Sequence, residues 1–438
     1  MTSITAARLA LAAASAGLLV AAARSRPSRA AAPDDGAWDG NEKDDDEEGL
    51  IFTGTGCSSG LPLTACLLGG QAVRSDVCRA CVVAARRGRS DKNWRNNVGV
   101  LLRFRDPATG TIRCVQIDCG KTFRETALTV YRQHGVTALD AVILTHDHAD
   151  AVGGLDELRS LQRFDPKTYE IDQPIQCHCD RRTMTRLRHM FPYLFPVRPF
   201  AGLGGGAGGV GGDALCTGCG LDMEPLPQPP PGATPPPPSP PPAAPPEPAA
   251  TGSTALTAST AAPAAPAVKR FVAKIDWRGF GGAQPSDPRR ASVSAFDVFG
   301  LRVHALPVMH GNDYVCFGFA FGPAHARVVY LSDYTALLPQ TEAKLLEWSG
   351  GAHTTARIAL LVLDALRMRE GHPVHATAEE SIALARRLRP ARTLLVGMGH
   401  TMEHDETNRE LRALQTREGL DVQLAHDGEF VPLCFGLS

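Results

Sequence analysis

The stretch Thr145-His146-Asp147-His148-Ala149-Asp150 follows the apolar run Ala141-Val142-Ile143-Leu144 and precedes Gly153-Gly154-Leu155-Asp156-Glu157-Leu158-Arg159. A short apolar β-prone run reads as a buried strand, and a glycine pair leading into Leu, Glu and Arg reads as the start of a helix. The two histidines therefore sit on a strand-to-helix loop. Two imidazoles two residues apart on an extended segment can turn towards one point, and Asp150 adds a carboxylate, a donor set that suits a zinc-type ion. The plain alternative is a solvated loop rich in His and Asp. The argument for metal is that strand, motif, glycine pair and helix occur together.

With 438 residues and 43% hydrophobic content, the chain can bury one large core or two modest ones. A formal net charge of -1 offers no overall field for nucleic acid or an acidic membrane. Arg86-Arg87-Gly88-Arg89 and Arg181 to His189 are locally basic and read as solvated faces. Twelve cysteines in a chain of this length, some at metal-like spacing, favour a reduced compartment with metal thiolates over a disulfide framework.

Residues 1–33 carry Arg8, Arg24, Arg26 and Arg29 and no acidic residue before Asp34, the composition of a transit peptide for a mitochondrion or chloroplast. Leu9 to Ala23 could instead be a secretory apolar region, and is too short for an ordinary membrane span. A cytoplasmic location is the remaining alternative. Residues 34–50 read as an acidic disordered spacer.

A first half, 51–200, opens with the strand Ile51 to Gly54 and continues with a hairpin, Val98 to Arg105 and Thr111 to Asp118. Helical periodicity from Phe123 to His134 leads to the central strand, and a further strand at Pro174 to Cys177 precedes a helix over Arg181 to Met190. Residues 201–268 then turn to Gly, Pro and Ala. Such a stretch cannot bury enough apolar surface to fold, so it predicts a disordered insertion that interrupts one domain. The pair Cys216 and Cys219 inside it reads as incidental.

The second half, 269–438, has strand patterns at Val293 to Phe299, Leu301 to Val308, Val315 to Phe321, Val328 to Leu331, Ala359 to Leu363 and Thr393 to Val396. Helical patterns cover Leu337 to Trp348, Ala378 to Leu388 and Glu406 to Glu418. Two β-rich halves with helices outside them fit an α+β fold, a four-layered αββα sandwich with the site at one edge of the sheets.

One loop cannot supply a whole metal centre, so later strand ends matter. Leu306-Pro307-Val308-Met309-His310-Gly311 ends a strand with His310, and Val329-Tyr330-Leu331-Ser332-Asp333 ends another with Asp333. His146, His148, His310 and Asp333 would make one open site. The loop resembles the signature of the metallo-β-lactamase fold superfamily, H-x-H-x-D-H, with Ala151 where the last His belongs. The resemblance implies that His310 completes the first site and that Asp333 touches the metals. A second ion would use Asp150 and two further histidines, which fall on Ala151 and Gly397. That leaves Asp150 and Asp333, with His404 as a substitute, and implies a mononuclear catalytic site of zinc or manganese with Asp150 as base or water-orienting group.

Within the superfamily the chain resembles the phosphoribosyl 1,2-cyclic phosphate phosphodiesterases and their eukaryotic relatives. The likeness rests on Gly54-Thr55-Gly56-Cys57-Ser58-Ser59-Gly60-Leu61-Pro62 with Cys66, Cys78 and Cys81, on Arg95-Asn96-Asn97, and on His375 and His400. It implies a structural zinc on Cys66, Cys78, Cys81 and His400, and Cys78-x-x-Cys81 has the spacing of two thiolates on one tetrahedral zinc. His375 maps to a catalytic His, a candidate general acid, just before a helix whose N-terminus could receive an anionic phosphate. Asp118 and Asp364 map to positions that orient the metal loop. The expected function is a metal-dependent phosphodiesterase on a small cyclic or nucleotide-like phosphate, without a specific nucleic-acid or membrane partner and with a homodimer left open. The alternative is a metal-binding scaffold that kept the fold and lost turnover.

Overall fold

The structure, a computed structural model, describes residues 47–68, 78–195 (without 164, 166, 169 and 170), 272–281, 287–350 and 357–436. Residues 1–46 and 196–271, and with them the leader, most of the spacer, the insertion, Cys216 and Cys219, lie outside the described residues. The chain divides into two compact units, Met1–Cys219 with Val272–Ser438, and Gly220–Phe271. Only the first falls within the described residues, and the two halves expected on either side of the insertion belong to it.

In chain order the strands are β1 (Gly49–Gly54), β2 (Gly99–Arg105), β3 (Ile112–Ile117), β4 (Ala141–Ile143), β5 (Ile175–Cys179) and β6 (Ile275–Gly279). They continue with β7 (Ser294–Val298), β8 (Leu301–Met309), β9 (Val315–Phe321), β10 (Arg327–Leu331), β11 (Ala336–Leu337), β12 (Ile358–Asp364), β13 (Arg392–Val396), β14 (Val422–Leu424) and β15 (Phe430–Pro432). The longer helices are α1 (Arg79–Arg87), α2 (Arg181–Met190), α3 (Pro339–Ser349), α4 (Ala378–Leu388) and α5 (His404–Glu418).

One sheet has the order β15-β1-β2-β3-β4-β5-β6 and the other β11-β8-β9-β10-β12-β13-β14, with β7 beside β8. Each is antiparallel in its earlier strands and parallel in its later ones: β1, β2 and β3 alternate while β3 to β6 run together, and β8, β9 and β10 alternate while β10, β12, β13 and β14 run together. The period-two pattern explains the layering. Leu50, Phe52, Val100 and Leu102 meet Phe319, Phe321, Leu360 and Val362 between the sheets. Alternate residues Ile51, Leu101 and Val142 face an outer layer with Leu158 and Leu187, and Leu361 and Leu363 face another with Ile382 and Leu411. Strands apolar on both faces are buried between helices, which gives the αββα sandwich expected from the sequence.

The differences are local. The helix expected after Gly153-Gly154 is a 3₁₀ run, Leu155–Leu161, and a short helical turn, Ala149–Val152, already contains Asp150. Strands β6, β14 and β15 and helix α1 had no counterpart in the sequence reading.

Candidate metal centre

Strands β8 and β10 are both antiparallel to β9, and β12 and β13 run parallel to β10, so these four strands point the same way. Their C-terminal ends place His310, Asp333, Asp364 and Gly397 along one edge of the second sheet. The loop after β4 reaches that edge through a backbone bond between sheets, Phe317 N–H to the Thr145 carbonyl, 3.1 Å.

His146 is fully buried. Its Nδ1 lies 2.8 Å from Thr145 Oγ1, which donates to the Asp118 carboxylate at 2.9 Å. The Thr145 N–H also donates to Asp118, at 2.9 Å. Since the hydroxyl gives its one proton to Asp118, it accepts from His146 Nδ1–H, and the lone pair of His146 is on Nε2. That buried Nε2 has no hydrogen-bond partner among the described residues. Asp118 thus does orient the loop, as the resemblance implied. Burial drives the His146 imidazole down to about 3, against the pull of Asp333, so the ring is neutral.

His148 and His310 close the group. His310 Nε2 stands 3.3 Å from His148 Nδ1, the His146 ring is 4.6 Å from that of His148 and 5.3 Å from that of His310, and one nitrogen of each ring lies within 4.8 Å of the others. Burial also lowers His310, with Asp333 opposing. Three imidazoles turned on one another, two of them driven neutral, are a donor set that could hold a cation.

The expected four-ligand set divides into two triads sharing His310, because Asp333 groups with His310 and His375. His375 Nδ1 is 2.7 Å from Asp364 Oδ2 and 3.5 Å from Asp333 Oδ1. Burial alone would lower His375, but Asp364 and Asp333 together raise it to about 9. Asp364 therefore serves His375 and not the metal loop, which corrects the expectation. Asp150 joins neither triad. It lines a cavity of about 10 Å³, room for one water, with Asp118, Asp333, Cys57, Ala151 and Gly397.

Two further expectations fail. The helix after His375 has no free N-terminus for phosphate, because the Ala378, Glu379 and Glu380 N–H groups bond Arg367 O, Met368 O and Thr377 Oγ1, and Glu380 completes a capping box. His404 is no substitute ligand: it is buried at the start of α5, its Nε2 3.1 Å from Asn408 Nδ2.

Sequence reasoning missed what steadies His148. Tyr314 stacks on that ring at 5.0 Å and 30°, donates its hydroxyl to Asp147 Oδ1 at 2.6 Å, and carries the Arg182 guanidinium over its own ring, 3.8 Å from the centroid. Part of the basic run read as a solvated face thus packs beside the site. Tyr314 lies four residues after His310 in an irregular turn, where no periodicity marks it.

A second cluster joins Cys66, Cys78, Cys81 and His400. His400 Nδ1 is 3.1 Å from Cys78 Sγ and 3.4 Å from Cys66 Sγ, and Cys81 Sγ accepts from Leu63 N–H at 3.2 Å. Tetrahedral zinc with ordinary bond lengths puts its sulfur and nitrogen ligands about 3.6 Å apart, so the cluster has nearly the edge lengths of a filled site. All of these cysteines are free of disulfides. The long sequence gap from Cys66 to Cys78 does not separate them.

The sequence profile of the beta-lactamase superfamily domain matches residues 113–207 and 283–398, the segments that carry both triads. A crystal structure titled as a new diphosphatase from the PhnP family covers 89% of this chain and 98% of its own at TM-score 0.53 and 22% identity. The chain has the metallo-β-lactamase fold. Zinc-bound PqqB from Methylobacterium extorquens is similar at TM-score 0.49 and 13% identity, covering 88% of this chain and 99% of its own. An octanoyltransferase of Porphyromonas gingivalis (strain ATCC BAA-308 / W83) is 29% identical over 152 residues, 35% of this chain. The match spans only about a quarter, 24%, of that curated relative.

A metallo-β-lactamase fold implies divalent metal use, and the donors here fit it: a buried Nε2 with no partner, neutral rings, and a Cys3His set at tetrahedral spacing. The chain departs from the superfamily pattern where a second ion would sit. Ala151 is buried, and a Cβ at Gly397, whose φ is +72°, would collide with Asp364 Oδ1. Asp364 fills the space that an imidazole at 397 would need.

Proposed function

We propose that the chain is a metal-dependent hydrolase, a phosphodiesterase acting on a small cyclic or nucleotide-like phosphate, with one catalytic ion. The observation that carries this reading is the buried, partnerless Nε2 of His146 facing His148 and His310, with the His375–Asp364 pair 5.1 Å away, ring to ring, across His310. His146, His148 and His310 would hold the ion, zinc or manganese, which when bound would supply Lewis acidity towards a phosphoryl oxygen and lower the pKa of a bound water. Asp333 completes the site from the His375 side. Asp150, on the wall of the one-water cavity, orients the attacking water. His375 holds a proton at neutral pH and gives it to the leaving oxygen. Cys66, Cys78, Cys81 and His400 hold a structural zinc. Residues 1–33 direct the protein to a mitochondrion or chloroplast, which a fluorescent fusion of that segment tests.

The test is metal-dependent turnover on a panel of nitrophenyl phosphodiesters and cyclic nucleotides. Turnover that needs the ion and disappears in His148→Ala supports the assignment. A specific observation favours a second reading, a scaffold with little catalysis: a Cβ at Gly397 would collide with Asp364 Oδ1, so position 397 leaves no room for the imidazole of a second ion. No metal-dependent turnover on the whole panel, with ions bound, favours that second reading.

A further inference from the structure

Arg95 is 1% exposed and, among the described residues, no carboxylate bonds it. Its Nη1 donates to the Gly399 carbonyl at 3.1 Å and its Nη2 to the Met402 carbonyl at 2.7 Å, on either side of His400. A buried guanidinium is costly unless something compensates it. Carbonyls satisfy two of its nitrogens, and Nε has no partner. Burial opposes its charge, and the groups whose negative form attracts it are Asp427 first, then Cys57, Glu403 and Cys81. A zinc ion with three thiolates and a neutral imidazole carries a net single negative charge, because bound thiols are deprotonated. A filled Cys cluster would add its charge to those of Asp427 and Glu403 around Arg95.

The segment that Arg95 grips also forms part of the catalytic edge. Gly397 lines the small cavity with Asp150 and Asp333. Met398 N–H donates to Thr55 O at 3.1 Å and its carbonyl accepts from Cys57 N–H at 3.3 Å, which ties the segment to the loop forming the opposite wall. Gly399 N–H donates to Leu366 O at 2.9 Å, two residues from Asp364, the partner of His375. Arg95 also holds that opposite loop, through paired backbone bonds with Leu61 of 2.8 and 3.1 Å. Residues 397–402 therefore touch His400, the cavity and the support of His375 within six residues.

We infer that the Cys cluster and the His cluster are coupled metal sites, and that Arg95 is the positioning residue that couples them. Filling either one stiffens residues 397–402 and raises the affinity of the other. This rests on the reading that both clusters bind ions. Coupling of this kind is reciprocal and is typically worth a five- to 150-fold change in affinity.

The experiment measures Mn²⁺ binding at the His cluster by the electron paramagnetic resonance of free Mn²⁺, since thiolate ligands select zinc and leave manganese to the harder site. Wild type and Arg95→Met loaded with one equivalent of zinc per chain, which the thiolates take, are compared with zinc-free Cys66→Ser and the zinc-free double variant. Emptying the Cys cluster should raise the Mn²⁺ Kd about tenfold, Arg95→Met alone should raise it similarly, and the double variant should be no weaker than either. An unchanged Kd in Cys66→Ser, or effects that multiply in the double variant, overturns the inference. No Mn²⁺ binding even to wild type holding one zinc per chain sinks the two-site reading itself, and the coupling with it. Should the variants fail to fold, the reciprocal measurement needs none: zinc affinity of the Cys cluster, by chelator competition in wild type, must rise by the same factor when Mn²⁺ saturates the His cluster. Equal zinc affinities with and without Mn²⁺ refute the coupling.

Discussion

His375 Nδ1 lies 2.7 Å from Asp364 Oδ2, and Asp364 is the last residue of β12, wholly buried and, among the described residues, without a hydrogen bond to the metal loop. The short bond commits Nδ1–H to Asp364, which leaves Nε2 as the proton-bearing atom able to face a substrate. With its imidazole raised to about 9, His375 is protonated at neutral pH.

The first prediction follows from that proton. His375→Ala should lower turnover on phosphodiesters with alkoxide leaving groups by about 10² to 10³-fold, and far less on nitrophenyl esters, whose leaving group needs no acid. Wild-type turnover on the alkoxide substrates should fall as pH rises past about 9, as His375 loses its proton. The check is a leaving-group series at several pH values. Equal losses across the series would remove His375 from the acid role.

Metal content separates the two clusters. Purified protein should hold about two ions per chain, one on the Cys set and one on the imidazoles, from the ligand tally. Cys81→Ser should lower the melting temperature by about 10 °C or more, because zinc binding there is folding energy that ties residues near 60–80 to the loop at 400. His148→Ala should spare the fold and keep the Cys-site zinc while losing the second ion and turnover. Three tightly held ions, by elemental analysis, would contradict the single catalytic position.

The sequence made much of this legible, for reasons that can be named. Strands β8, β9 and β10 alternate or run apolar between clear turns, so their ends, and with them His310 and Asp333, could be placed. Thr145 to Asp150 carries its ligands in one loop. What stayed hidden depends on contacts between distant segments. Strands β14 and β15 are three residues long and exist because β13 and β1 offer them edges. Helix α1 has its apolar residues between arginines in nine positions, too few for a periodic signal. The pairing of Asp364 with His375, and of Tyr314 with His148, is made only when the β12 loop and the turn after β8 fold over the same edge.

The insertion gives a prediction on stability. Deleting Gly204 to Ala267 should leave the melting temperature and metal content nearly unchanged, because a Gly/Pro/Ala segment contributes little burial and the entropic cost of loop length grows slowly. Thermal unfolding of the shortened chain is the measurement. A drop of more than about 5 °C, which for a domain this size corresponds to more than about 1 kcal/mol, would mean that the segment packs on the core.

Acid should destabilise the fold through buried histidines outside the metal sites. Burial first, then the charges of His426, Lys92 and Arg95, drives His404 down to about 2, and burial with Arg278 takes His178 to about 4. Both are depressed relative to an unfolded value near 6.5, so the unfolded chain binds the protons. Their stabilising contribution is complete above pH 6.5 and is lost as pH falls towards 4, at up to about 1.4 kcal/mol per pH unit for each group. Urea midpoints of wild type and His404→Gln between pH 7 and 4.5 should therefore converge as the pH drops. Parallel curves would show that His404 has no part in the acid response.

The last prediction concerns the missing imidazoles. If the site lacks a second ion only because Ala151 and Gly397 supply no ligand, restoring both as His should create one. The geometry at 397 argues otherwise. A Cβ there would meet Asp364 Oδ1, an atom of a fully buried carboxylate held by His375, and the backbone at φ +72° disfavours any residue with a side chain by about 1–2 kcal/mol before the clash is counted. Gly397→His should therefore destabilise the protein by about 2–4 kcal/mol and, by displacing Asp364, also weaken the acid role of His375. Ala151→His alone should be the milder change at the backbone, since Ala151 lies in a helical turn that accepts side chains. Calorimetric unfolding together with metal counting on the two single variants and the double variant decides the point. A double variant that binds a third ion without loss of stability would show that Asp364 yields its place readily, and that the single catalytic ion reflects ligand identity alone.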